Sequence, residues 1–233
     1  MLSIKAVLAK PFARIIYKRI QKWANKPIET QEKLFQDLIS IAASTTFGKD
    51  HDFISINAYS DFIKRVPVRD YEALKPYVEK VVKGQENVLW PGKPIYFAKT
   101  SGTTSGSKYI PITKESMPYH IEAARNAILL YIHETGNSKF VDGKMIFLQG
   151  SPILDVKNGI QLGRLSGIVA HYVPKYLQKN RLPSYKTNCI EDWETKVEAI
   201  VEETLPENMT IISGIPSWVQ MYFEKLQLKT GKK

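Results

Sequence analysis

Cysteine is almost missing from this chain: Cys189 stands alone among 233 residues. No intrachain disulfide can form, and a reducing, cytoplasmic setting is the expectation. No histidine motif partners Cys189, so it reads as a small core residue. Long apolar runs are missing too. The longest near the start, residues 6–9, is too short for a signal peptide, and the longest further on, residues 127–132, falls far short of a membrane span. Acids are absent from residues 1–28, which carry seven bases: Lys5, Lys10, Arg14, Lys18, Arg19, Lys22 and Lys26. The four histidines, His51, His120, His133 and His171, show no metal-ligand spacing, and no His-Glu-x-x-His motif occurs, so no metal site is expected. Internal repeats and low-complexity segments are lacking as well.

What is there suits a folded protein. Hydrophobic residues make up 43% and charged residues 24%, enough for a sizeable core. The formal net charge of +10 admits polyanions, anionic surfaces and phosphorylated ligands. Part of that excess lies at the termini, and no nucleic-acid motif accompanies it, so nucleic acid is not an expected partner.

Apolar residues Ile4, Leu8, Phe12, Ile15, Ile16, Ile20 and Trp23 recur at helical spacing, with bases on the other face and Pro11 starting or kinking the helix. Residues 1–28 are therefore expected to form a basic amphipathic helix, and residues 29–233 the domain it accompanies. A second helix is predicted over residues 31–45, with Leu34, Leu38 and Ile41 inward and Gly48 near its end. Asp70 is placed to cap a turn leading into residues 76–82, closed by Gly84. Strands are predicted at residues 96–99, 109–112, 144–148, 168–173 and 209–213. Helices are predicted from Pro118 to the residue before Gly136, over 192–204 and over 216–226. Strands alternate with helices in the second half, which argues an α/β class.

The segment Thr100-Ser-Gly-Thr-Thr-Ser-Gly-Ser-Lys108 carries the chemistry. It holds six hydroxyls, on Thr100, Ser101, Thr103, Thr104, Ser105 and Ser107. Gly102 and Gly106 let the backbone turn sharply and approach a ligand closely. Amides in such a loop converge on an anion, and hydroxyls add donors. Lys108 supplies a mobile point charge for a phosphate. A solvated Ser/Thr/Gly hairpin turn has the same composition; the lysine and the flanking strand-like segments favour phosphate binding. Walker A needs four residues between its glycines followed by Gly-Lys-Ser/Thr, whereas three separate Gly102 from Gly106 here and a strand follows, not a helix.

This run resembles the phosphate loop of the acyl-adenylate-forming enzymes. Tyr109-Ile-Pro-Ile-Thr113, Phe47-Gly-Lys49, Val66-Pro67 with Asp70-Tyr71 and Pro76-Tyr77, Gly84 with Trp90-Pro-Gly, and Ser213-Gly-Ile-Pro-Ser-Trp218 narrow the likeness. Together they are similar to the auxin-responsive acyl-acid amido synthetase family in a bacterial-type version. The resemblance implies the N-terminal part of the large lobe of an adenylate-forming enzyme, a mixed sheet flanked by helices. It also implies ATP with Mg2+ as cofactor, a carboxylic acid and an amine (usually an amino acid) as substrates, and an amide as product. ATP phosphates would be held by Thr100, Ser101, Gly102, Thr103, Thr104, Ser105, Gly106 and Lys108. The family's adenine-contacting segment, ribose-binding aspartate and mobile small lobe would follow residue 233. No catalytic residue is therefore named, and residues 1–233 are expected to be inactive alone. A nucleotide- or polyanion-binding module without chemistry is the alternative.

Arg125 falls within the apolar stripe Ile121, Ala124, Ile128 and Ile132 of its predicted helix, where an arginine needs an anion. An internal salt bridge satisfies that need, and so does a substrate carboxylate. The family has substrate contacts on the corresponding helix, and it places pocket residues after the strand at 144–148, which would bring in Arg164, Ser166 and Gly167.

Overall fold

A computed structural model of the chain describes residues 3–100, 108–174 and 178–232. The helices are α1 (Ile4–Ala24), α2 (Pro27–Ala42), α3 (Thr46–Asp50), α4 (Tyr59–Arg65), α5 (Tyr71–Val82), α6 (Met117–Thr135), α7 (Leu165–Ala170), α8 (Tyr185–Asn188), α9 (Trp193–Thr204) and α10 (Pro216–Thr230). The strands are β1 (Tyr96–Lys99), β2 (Tyr109–Ile112), β3 (Lys144–Leu148), β4 (Asp155–Lys157), β5 (Ile160–Gly163), β6 (Arg181–Leu182) and β7 (Met209–Gly214). They form two compact units, one of Lys18–Tyr119 with Asp155–Gly163, the other of Met1–Tyr17, His120–Leu154 and Arg164–Lys233.

The first unit holds a mixed sheet in the order β2-β1-β5-β4. β1 runs antiparallel to β2 and parallel to β5, which makes it an inner strand. Inner strands bury both faces, and Phe97 at the centre of β1 is wholly buried with Val81, Val88, Ile160 and Leu162. The helix α5 begins where expected because Asp70 accepts the Ala73 N–H at 2.9 Å. Gly84, at φ +91°, follows its end. A second core gathers Ile39, Ala42, Phe53 and Ile56, with Phe35, Phe47, Phe62 and Trp90 against it. The stripe expected to face inward on α2 is wrong by one residue: Leu34, Leu38 and Ile41 are exposed, and Phe35, Ile39 and Ala42 face the core. Both sets recur at helical spacing about 100° apart, and the aromatic neighbours select the second.

The second unit holds a parallel sheet in the order β6-β3-β7. Ile146 and Leu148 of β3 pack on Val197, Ile200 and Val201 of α9 and Tyr222 of α10. Asp192 caps α9 by accepting the Thr195 N–H at 2.9 Å. The Trp193 and Trp218 rings stack with centroids 4.3 Å apart. Residues 168–173 do not form the expected strand. They complete the short helix α7 and the turn after it. A short apolar run suits a buried helix turn as well as a strand. Gly167, where a side chain would strike the Ser151 carbonyl, lets α7 pack flush.

Helix α1 contains Pro11 rather than starting at it. Its buried residues are Ala6, Ala13 and Ile16, whereas Ile4, Leu8, Phe12, Ile15 and Trp23 of the expected inward stripe are exposed. Alanines permit a closer backbone approach than the larger side chains would.

The motif Phe47-Gly48-Lys49 forms α3, with the Thr45 hydroxyl accepting the Gly48 N–H at 3.0 Å. A Cβ on Gly48 would collide with the Ala42 carbonyl oxygen, a backbone atom that cannot rotate away. Gly48→Ala should therefore destabilise the first unit by about 1–3 kcal/mol, the usual cost of overpacking. Urea unfolding of the variant measures this, and a change below about 0.5 kcal/mol would show that α3 shifts freely.

Candidate functional site

The hydroxyl-rich loop is carried by the β1–β2 hairpin. Lys99 pairs with Tyr109, and the ladder extends one step further, the Thr100 N–H donating to the Lys108 carbonyl at 3.1 Å. Ser101, Gly102, Thr103, Thr104, Ser105 and Gly106 lie outside the described residues; Thr100 and Lys108, which bracket them, are described. Both ends of the loop thus leave one closed rung of a hairpin, which fixes where the seven intervening residues begin and end.

Tyr109 anchors the foot of that hairpin. Its backbone N–H donates to the Tyr71 hydroxyl at 2.9 Å, and its ring meets Phe97 edge-on at 5.9 Å. From β4, the Lys157 ammonium donates to the Tyr109 hydroxyl at 3.1 Å and lies 4.5 Å from its ring centroid. Tyr71 serves twice, because the Lys108 ammonium rests 5.2 Å from its ring centroid. A ring face attracts a cation without neutralising it, so Lys108 is positioned beside the loop with its charge intact. The exposed Lys99 adds a third positive charge at the same hairpin.

Beyond the hairpin, Thr113 and Ser116 form a reciprocal box. The Thr113 N–H donates to Ser116 Oγ at 3.0 Å and the Ser116 N–H donates to Thr113 Oγ1 at 3.1 Å. That leads the chain from β2 into α6, whose first N–H, on Met117, donates to the Thr113 carbonyl at 3.2 Å. Glu115 between them sits below the usual carboxylate range, held there first by its own backbone N–H, with the Thr113 hydroxyl and the Trp90 indole adding to it. The indole N–H donates to Glu115 at 3.3 Å and ties the Trp90-Pro-Gly turn to this connection.

Arg125 lies in the second unit. Its side chain is exposed, its Nη2 is 3.5 Å from Glu122 Oε1 one helical turn away, and it donates to Asn126 Oδ1. The apolar stripe around it is partly open: Ala124 is exposed and only Ile132 is buried. Arg125 therefore needs no buried counter-ion. Arg164 caps no helix with its side chain, and its stem covers Gly150.

The sequence reading missed Lys157, because β4 and β5 were not recognised as strands. The signal was present. Asn158 and Gly159 both adopt positive φ, 49° and 79°, as a two-residue hairpin turn requires. Asn-Gly is the strongest short-range mark of such a turn. It was obscured because β4 offers only Asp155-Val-Lys157 to flank it.

Residues 16–186 match the GH3 family N-terminal domain. The chain belongs to the GH3 family. It is 35% identical over 122 residues to the probable indole-3-acetic acid-amido synthetase GH3.13 of Oryza sativa subsp. japonica, covering 52% of this chain and 24% of that protein. It is 24% identical over 136 residues to the jasmonoyl–L-amino acid synthetase JAR4 of Nicotiana attenuata, covering 57% of this chain and 23% of that protein. The chain thus spans about a quarter of the length of these GH3 relatives. Among solved structures, the AtGH3.15 acyl acid amido synthetase in complex with 2,4-DB superposes over 87% of this chain and 38% of its own, with a TM-score of 0.67 at 18% identity. That likeness establishes the mixed α/β fold of a GH3 N-terminal region.

Tyr71 supplies both a hydrogen bond and a ring, and two variants separate them. Tyr71→Phe keeps the ring under Lys108 but strands the Tyr109 N–H, at a cost of about 1 kcal/mol. Tyr71→Leu loses the ring as well and should cost about 0.5–1 kcal/mol more. Urea titrations of both variants test this, and a Tyr71→Phe protein as stable as the parent would remove Tyr71 from the anchoring of the hairpin.

Proposed function

We propose that this chain supplies the phosphate-binding hairpin of an ATP-dependent ligase that joins a carboxylic acid to the amine of an amino acid. The observation that supports this reading is the pairing of a hydroxyl-rich loop with Lys108 on a rigid hairpin, in a chain of the GH3 family. A carboxylate is a poor electrophile. In the first step its oxygen attacks the α-phosphorus of ATP, the bond to the bridging oxygen breaks, and pyrophosphate leaves. In the second step the amine attacks the acyl carbon, AMP departs with the carboxylate oxygen, and the ammonium proton is lost to solvent.

The hairpin's contribution is electrostatic. Hydroxyls and amides of residues 100–107, with Lys108, would face the phosphate oxygens, where negative charge builds up as pyrophosphate departs. Donors fixed before the reaction cost no reorganisation during it, and the Tyr109 anchor holds the hairpin rung, Thr100 with Lys108, from which the loop leaves. Magnesium would neutralise phosphate charge as the companion of ATP. No group of three or more His, Cys, Asp or Glu side chains gathers among the described residues to cage it, so no step is assigned to it. Arg125, exposed and ion-paired with Glu122 at 3.5 Å, is proposed to exchange that partner for the substrate carboxylate. Residues 29–233 are proposed as part of an adenylation domain, with residues 1–28 as the helix that accompanies it.

The loop is tested by calorimetry of ATP binding. Ser101→Ala combined with Thr103→Ala removes two donors worth roughly 1 kcal/mol each, so affinity should fall about tenfold or more. Equal affinity, or no binding by either protein, sinks the phosphate assignment. The chemistry is tested by acid-dependent ATP–pyrophosphate exchange over aromatic and aliphatic acids. Residues 1–233 alone should stay at background, because one loop cannot surround the reacting phosphorus, while a longer protein containing them should exchange. ATP binding without exchange by the longer protein would favour a nucleotide-binding module without chemistry.

Arg125→Ala should change unfolding free energy by less than about 1 kcal/mol, because an exposed ion pair contributes little. Any larger loss of acid affinity in the exchanging protein then reports on the substrate and not on folding. Unchanged affinity for every acid in the panel would release Arg125 from the site.

A further inference from the structure

Helix α1 carries its larger apolar side chains on the outside. Its seating uses a narrow face, where Ala6 and Ala13 are wholly buried and Ile16 nearly so. The Tyr17 ring stacks on His133 of α6 with centroids 4.0 Å apart. Ser3 caps the helix by accepting the Ala6 N–H, and donates to Asp142 from its own N–H at 3.2 Å and from its hydroxyl. Ile4, Leu8, Phe12 and Ile15 take no part in this and stay 79%, 61%, 45% and 50% exposed. Their spacing of four, four and three residues lines them up as one stripe, about 16 Å long at 1.5 Å per residue. Residues 4–17 belong to the second unit, so the stripe is a feature of that unit alone.

The charges around the stripe point to its occupant. Residues 1–28 hold seven bases and no acid. Lys5, Lys10 and Arg14 are exposed, and none of them has an acid within ion-pair distance among the described residues. Asp142 feels the Lys5 charge but is already taken up by Ser3. Lys10 and Arg14 stand one turn apart in the arc between the stripe and the buried alanines. A second copy of the chain is a poor cover, because its own α1 would bring the same bases and no acid. A folded acidic partner would need an apolar groove and carboxylates, both in register with the helix. A lipid surface needs no register: its acyl boundary takes the apolar side chains, and its anionic headgroups meet bases whose stems reach up from the flank. An ordinary solvated helix accounts for the bases alone and leaves four large apolar side chains in a row in water.

We propose that α1 rests in the headgroup layer of an anionic lipid bilayer, with Ile4, Leu8, Phe12 and Ile15 toward the acyl chains and Lys10 and Arg14 on the lipid anions. The helix lies along the surface and does not cross it, since no helix of the described residues is long and apolar enough to span a membrane. One shallow stripe with a few bases gives reversible attachment, not a permanent anchor. The proposal is independent of the ligase reading, because neither the hairpin nor Arg125 enters it.

Flotation of the full chain tests it, with vesicles of phosphatidylcholine alone and with about one-third phosphatidylserine. The chain should float with the anionic vesicles, stay behind with the neutral ones, and detach as salt rises from about 0.1 to about 0.5 M. Leu8→Ala combined with Phe12→Ala keeps every charge and the helix propensity, and should weaken binding to the anionic vesicles at least tenfold. Lys10→Gln combined with Arg14→Gln alters exposed bases without ion pairs and should weaken it to a similar extent. No flotation of the parent with anionic vesicles overturns the proposal. So does undiminished flotation of the Leu8 and Phe12 variant, which would mean that the net charge of +10 adsorbs the protein without the stripe. Self-association of the parent that this variant abolishes, without flotation, would give the stripe to a second copy instead.

Discussion

The burial of Phe97 positions everything the hairpin can do. A strand paired on one edge can slip or fray, but β1 is paired on both and its central side chain is wholly enclosed. A slip of one residue would turn Phe97 out to the opposite face and lose the larger part of a core. The register of β1 against β2 follows, then the rung from Thr100 to Lys108, then the ends of the loop. Tyr109 extends the same core outward, one ring contact from Phe97 and one hydrogen bond from Tyr71. The position of the rung from which the loop leaves is thus determined by an apolar contact beneath it.

Electrostatics in this chain follow an unusual division of labour. Many cations rest on aromatic rings: Arg69 on Phe47, Lys80 on Tyr77, Lys108 on Tyr71, Lys157 on Tyr109 and Arg181 on Phe147. A carboxylate partner would hold a cation in place and cancel its field. A ring holds it and leaves the field to act on whatever approaches. The hairpin proposed above to take an anion uses this device. With a formal charge of +10, the protein has cations to spend in this way.

The strands that carry the loop were legible because two short apolar runs that bracket hydroxyls, glycines and a lysine are a local signal. The partner strand β5 was not, since Ile160-Gln-Leu-Gly163 is only four residues long and gains its place by pairing with β1 from far along the chain. Residues 168–173 were misread for a related reason: their apolar character reports burial, and burial is common to both kinds of element. On α2, helical periodicity gave the right element and the wrong face, because the aromatic residues that choose the face come from α3, α4 and the turn between them.

The joining of β5 to β1 has a further consequence. Tyr96 pairs with Gln161, so all of α6 and β3 are made between one partner and the other. During synthesis β1 can close its hairpin with β2 promptly, since those residues are near neighbours. Its second edge then waits, with unpaired amides and carbonyls and an apolar Phe97 beside them, the features that template pairing with a foreign strand. A nascent chain is most vulnerable to aggregation in that interval, and the Asn158–Gly159 turn, by folding β5 back along β4, ends it.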